Sequence, residues 1–210
     1  MFKIPFHNFG GEGSVIHFAH ANGFPPGCYQ QFLTPFKDHY KVIGMQQRPL
    51  WKNSQPQELK NWDQLAEDLI LFFEQNKLKN IINIGHSMGA SISILAAIKR
   101  PDLFSKLVLI DPPGLFPKKM AIFNALTPIA WRKKIIPIAK IASKRRDKWD
   151  NQHKIFNSFR KKSVFKRFSD ESLWDLVKAS TTKRENLESF TLAYPKAWET
   201  QIYVLSLIHI

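Results

Sequence analysis

Cysteine is almost absent: Cys28 is the only one in 210 residues. That excludes a disulfide framework and a Cys-rich zinc module. No apolar run approaches the roughly 18 residues a membrane span requires. The opening MFKIPFHNFG lacks the sustained apolar stretch of a secretory leader. A soluble cytoplasmic protein is the expectation. No cluster of His, Cys and carboxylates has ligand spacing and no phosphate loop is present, so neither a metal nor a cofactor is expected. Acidic residues are the other scarcity, 17 against 31 Lys and Arg. The shortage is uneven. Residues 1–111 carry eleven basic and nine acidic residues, whereas residues 112–210 carry twenty and eight. Such a block can meet an anionic partner, whether nucleic acid, lipid head groups or an acidic substrate. Equally, 23 lysines against 8 arginines fit a compositional bias. What is present suffices for a core: 44% of residues are apolar and 23% charged, which excludes bulk disorder.

The first half alternates between two periodicities. Short β-prone runs at Val15–Ala19, Tyr40–Met45, Asn80–Gly85 and Leu107–Ile110 are nearly all apolar, as strands buried on both faces require. Between them, a helix is predicted from about Tyr29 to Lys37. A second is predicted where Trp62, Leu65, Ala66, Leu69, Phe72 and Phe73 share one face. A third runs from Ala90 to Lys99 and is stopped by Pro101. Strands separated by helices imply right-handed crossovers and a mostly parallel α/β sheet.

The chemistry concentrates at Gly85-His86-Ser87-Met88-Gly89, a G-x-S-x-G pattern between a buried strand and a small-residue helix. The two glycines let strand, turn and helix approach closely while the serine projects from the turn. The Met88 N–H heads the helix, where it is free to bind a developing oxyanion. This region resembles the α/β-hydrolase superfamily, and His20-Ala21-Asn22-Gly23-Phe24-Pro25 is similar to that family's oxyanion loop, in a branch that carries a HANGFP sequence with Arg48-Pro49-Leu50-Trp51. The resemblance implies Ser87 as nucleophile and the N–H groups of Met88 and Phe24 as oxyanion donors. Asn22, Gly23, Gly85, His86 and Gly89 support the loops. Gln46 stands where more typical members have an acid, so its loop is not given the usual role.

By the same resemblance, residues 1–111 form the N-terminal part of the hydrolase core and 112–204 a helical cap, with the last strands missing. The stretch from Met120 to Arg146 has helices broken by Pro128 and Pro137, and further helices are predicted over Trp149–Arg160 and Glu171–Ala179. Phe156, Phe159, Phe165, Phe168 and Trp174 are expected to pack the cap. The family order is Ser, then acid, then His, and nothing after Tyr194 has room for both remaining strands. The tail Leu205–Ile210 is what CTG TCT CTT ATA CAC ATC encodes, which resembles a transposase-type sequencing adapter. Residues 205–210 are therefore expected to be non-native and His209 not to be catalytic. Asp111, at the end of the fourth predicted strand, is an alternative triad acid or a structural turn.

The function this implies is hydrolysis of a small or lipid-like ester or thioester through an acyl-enzyme on Ser87, with the 210-residue chain itself inactive for want of a base. The expected partner is a small-molecule ester, without specific nucleic-acid binding. The competing reading is a non-enzymatic module that binds an anionic polymer or a membrane through the basic cap, and a peripheral lipid contact there stays open.

Overall fold

The computed structural model describes residues 2–113, 126–184 and 188–205. Two expectations fall mostly outside them: the first part of the predicted cap, residues 114–125 with Met120, and the predicted tail 205–210 with His209, of which only Leu205 is described.

The main sheet has five strands, β1 (Phe6–Gly10), β2 (Val15–Ala19), β3 (Lys41–Met45), β4 (Ile81–His86) and β5 (Phe104–Ile110), in the spatial order β1-β3-β2-β4-β5. β1 is antiparallel to β3 and the other pairings are parallel. The expected α/β class is therefore observed. β1 adds an edge strand that the sequence pattern does not announce.

Alternation along the strands sets the two faces. Ile16, Phe18, Val42 and Ile84 pack with Leu33 on one side. Ile43, Met45 and Ile81 pack on the other against α2 (Asp63–Gln75) and α3 (Met88–Lys99). α2 forms where the sequence period places it, and Leu65, Ala66, Leu69, Phe72 and Phe73 are buried. Each large side chain so buried contributes about 2 kcal/mol. The helix predicted over 29–37 is broken instead. Only α1 (Gln30–Leu33) is α-helical, and 3₁₀ turns flank it at Pro26–Tyr29 and Thr34–Asp38. Pro35 has no N–H to continue the ladder, and Thr34 Oγ1 bonds back to Gln30 O at 2.8 Å.

Beyond β5 the described chain is mainly helical: α4 (Ile129–Ile135), α5 (Pro137–Lys144), α6 (Gln152–Arg160), α7 (Asp170–Ser180) and α8 (Lys196–Leu205). Ser169 caps α7, its hydroxyl accepting from Ser172 N at 3.2 Å. A small antiparallel sheet joins β6 (Lys148–Trp149), β7 (Thr181–Lys183) and β8 (Phe190–Leu192) in the order β6-β8-β7. Trp149, Phe159 and Phe165 are buried in the core of this region, and Phe156 stacks on Trp174 at 4.6 Å. Phe168 is exposed. α8 lies within the stretch assigned to the cap, yet it packs on the main sheet's core. Trp198, Ile202 and Leu205 join the cluster around α2, and Trp62 Nε1 donates to Ile202 O at 3.2 Å.

Candidate active site

The path from β4 to α3 turns at one residue. Ser87 has φ 52° and ψ −119°, a backbone conformation that costs a non-glycine residue about 1–3 kcal/mol. Its N–H donates to Ile110 O at 2.9 Å, and its carbonyl accepts from Ala90 N at 2.9 Å and Ser91 N at 3.2 Å. The turn is thus fixed to β5 on one side and to α3 on the other. Met88 follows at the first helical position, where the N–H has no partner within the helix.

The glycines flanking Ser87 are required by space. A Cβ at Gly85 would lie 2.6 Å from Ala90 Cα, and one at Gly89 would lie 2.0 Å from Ala19 O. Both neighbours are backbone, so nothing can swing aside. Beneath the turn runs a buried polar chain. Met45 N donates to His17 Nε2 at 3.1 Å, His17 Nδ1 meets Asn83 Oδ1 at 2.6 Å, Asn83 Nδ2 donates to Ser93 Oγ at 2.6 Å, and Ser93 Oγ donates to Gly89 O at 2.6 Å. The accepting Nε2 sets His17 as the neutral Nδ1–H tautomer. Burial holds its pKa down at about 4. Asn83 and Ser93 carry no motif, so sequence reasoning missed this brace.

The loop after β2 is held as firmly. His20 Nδ1 donates to Ala21 O at 2.9 Å, and His20 Nε2 accepts from Gln47 N at 3.3 Å. Burial lowers its pKa to about 4 as well. Both buried histidines are structural braces. Asn22 receives the Tyr194 hydroxyl at 2.8 Å and donates to Glu199 O at 3.1 Å. Gly23 has φ +80°, and a Cβ there would approach the Glu199 carboxylate at 3.2 Å. That carboxylate is paired with Arg145 at 2.5 Å. Residues 172 and 177 positions away in sequence thus fix the loop, which no local signal could reveal. The Phe24 N–H, expected as an oxyanion donor, donates to Ala21 O at 3.2 Å and closes a turn. Binding an oxyanion there requires that long bond to be shared or broken. The Arg48 loop is also structural: Arg48 forms a two-pronged pair with Asp68 of α2 at 2.5 and 2.8 Å.

Asp111 follows β5 at φ 46°. It is the residue after Ile110, whose carbonyl receives the Ser87 N–H, so strand pairing puts it beside the elbow. Its charge raises the pKa of His86 against the larger lowering effect of burial. His86 Nδ1 is 2.8 Å from the Tyr29 hydroxyl. His153 packs edge-on against Trp174. Among the described residues, no histidine is hydrogen-bonded to the Ser87 side chain. No group of three or more His, Cys, Asp or Glu residues among them is arranged to hold a metal ion.

A cavity of about 430 Å³ opens between the loops after β2 and β4 and the region around α7. Phe24, Tyr29 and His86 line it on one side, and Phe165, Phe168 and Leu176 on the other. Among the described residues, Arg167 is the one Lys or Arg on its wall.

The model of the alpha/beta hydrolase fold family matches residues 16–208. The chain is 28% identical over 126 residues to the uncharacterized hydrolase YugF of Bacillus subtilis (strain 168), covering 52% of this chain and 45% of that protein. It is 32% identical over 116 residues to ethanol acetyltransferase 1 of Hanseniaspora uvarum, 52% of this chain and 32% of that one. It is 29% identical over 103 residues to strigolactone esterase D14 of Arabidopsis thaliana, 46% and 38% of the two chains. The matched portions span under half the length of these relatives. Among solved structures, E-2-(acetamidomethylene)succinate hydrolase superposes with TM-score 0.70 at 16% identity, over 94% of this chain and 67% of that one. The peroxisomal alpha-beta-hydrolase Lpx1 of Saccharomyces cerevisiae gives 0.67 at 18%, over 96% and 58%. With its five-stranded sheet and the family match over nearly its whole length, the chain belongs to the alpha/beta hydrolase fold family.

Proposed function

We propose that the chain carries the nucleophile half of a serine hydrolase that cleaves a small or lipid-like ester or thioester through an acyl-enzyme on Ser87. The observation that carries the reading is the backbone of Ser87, held in a costly conformation between Ile110 O and the first turn of α3. Nothing in packing alone demands a serine there. In this mechanism Ser87 Oγ attacks the carbonyl carbon while a base removes its proton. The Met88 N–H receives the developing oxyanion, an interaction worth about 3 kcal/mol. The leaving alcohol or thiol takes the proton, and water then cleaves the acyl-enzyme. The aromatic cavity next to His86 suits an apolar acyl or alcohol group.

The base, and the acid that orients it, belong in this reading to further strands beyond β5, with Asp111 as the alternative acid. The outer edge of β5, which has no partner strand among the described residues, supports that: Leu107, Val108 and Leu109 are exposed, although the strand is apolar throughout that run. The chain as given then hydrolyses little or nothing. The likeness to ethanol acetyltransferase 1 makes an alcohol a second acceptor to test beside water.

The test is turnover of a short p-nitrophenyl ester by the chain extended along its natural reading frame, with and without ethanol. Ser87→Ala should abolish release of p-nitrophenol. Full turnover by that variant would remove the serine mechanism, and a stop codon directly after Ile210 would remove the proposed extension.

A further inference from the structure

From residue 112 to residue 146 the sequence contains no Asp or Glu. Its described part, 126–146, has seven Lys and Arg and forms α4 and α5, separated at Ile136–Pro137. These helices already have an inner face. α5 packs on α8, and its buried residues are the small Ala139 and Ala142. Arg132, buried on α4, donates to Thr127 O at 2.7 Å. The other side is apolar too. Trp131 is 65% exposed, Ile135 50%, Ile138 48% and Ile141 70%. Trp131 and Ile135, four apart, share one face of α4, and Ile138 and Ile141, three apart, share one face of α5, so each helix carries a short exposed apolar stripe. A helix face turned to water is ordinarily polar. Around the stripes, Lys133, Lys134, Lys140 and Lys144 make no ion pair with any described residue. Ile141 shares a shallow groove with Lys140 and Lys144.

We propose that the outer face of α4 and α5 is a docking surface for an anionic lipid bilayer. Trp131 and the three isoleucines enter the boundary between head groups and acyl chains, and the four lysines meet the head-group charge. The sign of the charge selects an anionic occupant. The stripes select a bilayer over a nucleic acid, because a phosphate backbone engages lysines but leaves isoleucine in water. A second copy of the chain would set the same cations against one another without a single carboxylate to offset them. The contact is peripheral, since among the described residues no helix is long and apolar enough to cross a membrane. This surface does not depend on the Ser87 reading, and Ser87→Ala should leave it unchanged.

The test is co-sedimentation of the 210-residue chain with vesicles of phosphatidylcholine alone or of phosphatidylcholine mixed with phosphatidylglycerol. Binding should be at least about tenfold tighter to the anionic vesicles and should weaken with salt. Lys133→Gln with Lys134→Gln should weaken it by about fivefold per charge. Trp131→Ser with Ile135→Ser should weaken it by about tenfold or more on the same vesicles. These side chains are exposed, so the fold should survive, as circular dichroism would check. If the serine variant fails to fold, the glutamine variant decides alone. Equal binding to both vesicle types, or binding that both variants leave intact, would overturn the proposal. So would dimerisation through this face without lipid, or duplex DNA binding that is tighter than vesicle binding and indifferent to the loss of Trp131 and Ile135.

Discussion

The elbow and the outer edge of the sheet lie one strand apart and are built to different standards. At the elbow every neighbour is specified: two glycines pressed against backbone, a serine in a costly conformation, and a polar chain from Met45 to Gly89 in which each donor has its acceptor. Along β5, Leu107, Val108 and Leu109 are exposed, and the strand has no neighbour on its outer side among the described residues. The backbone geometry of Ser87 is therefore set by contacts within residues 15–111, while β5 presents an apolar edge with no neighbouring strand among the described residues. Backbone geometry at a turn can be fully specified where the sheet edge beside it is not.

The sharpest way to break this contrast is Gly89→Ala. The new methyl meets Ala19 O at 2.0 Å, and the loss should be about 3 kcal/mol or more, read as a collapse of the urea midpoint or failure to fold. Acid should act next. His17 and His20 sit near pKa 4 in the folded chain against 6.5 in the unfolded one. Between those values the unfolded state binds the extra protons. Stability should be unaffected by these groups above pH 6.5 and fall below it by about 1.4 kcal/mol per pH unit per histidine, levelling off below about pH 4. A urea midpoint that is flat from pH 7 to pH 5 would contradict their burial as neutral braces. Ser87→Gly should move the other way, raising stability by about 1 kcal/mol because glycine adopts φ 52° without strain. The smallest effect belongs to β5: Val108→Lys should change stability by no more than about 0.5 kcal/mol and reduce self-association, because the position is exposed and on an open edge. A large loss there would mean that the edge is already covered.

Strands β2, β3 and β4 and helix α2 were legible because burial on two faces or along one stripe leaves a period in the sequence. β1 was not, since Phe6-His7-Asn8-Phe9-Gly10 pairs on one side only and mixes polar with aromatic residues. β6, β7 and β8 are two or three residues long, too short for any period. The break in the helix near Tyr29 was written in Pro35, which has no N–H to continue the ladder. At the candidate site, Ser87 and its glycines stood out because their spacing is local. The partners of the loop after β2, Tyr194, Glu199 and Arg145, did not, because only the folded chain brings them to Asn22 and Gly23.

The most direct test of the account is peptide mapping after treatment with an activated organophosphonate, on this chain and on its extension along the natural reading frame. The account predicts one adduct, on Ser87, formed slowly in the 210-residue chain and faster by about a hundredfold or more once a base is supplied, with none on the Ser87→Ala variant. An adduct on another serine, or equal labelling of Ser87→Ala, would contradict it.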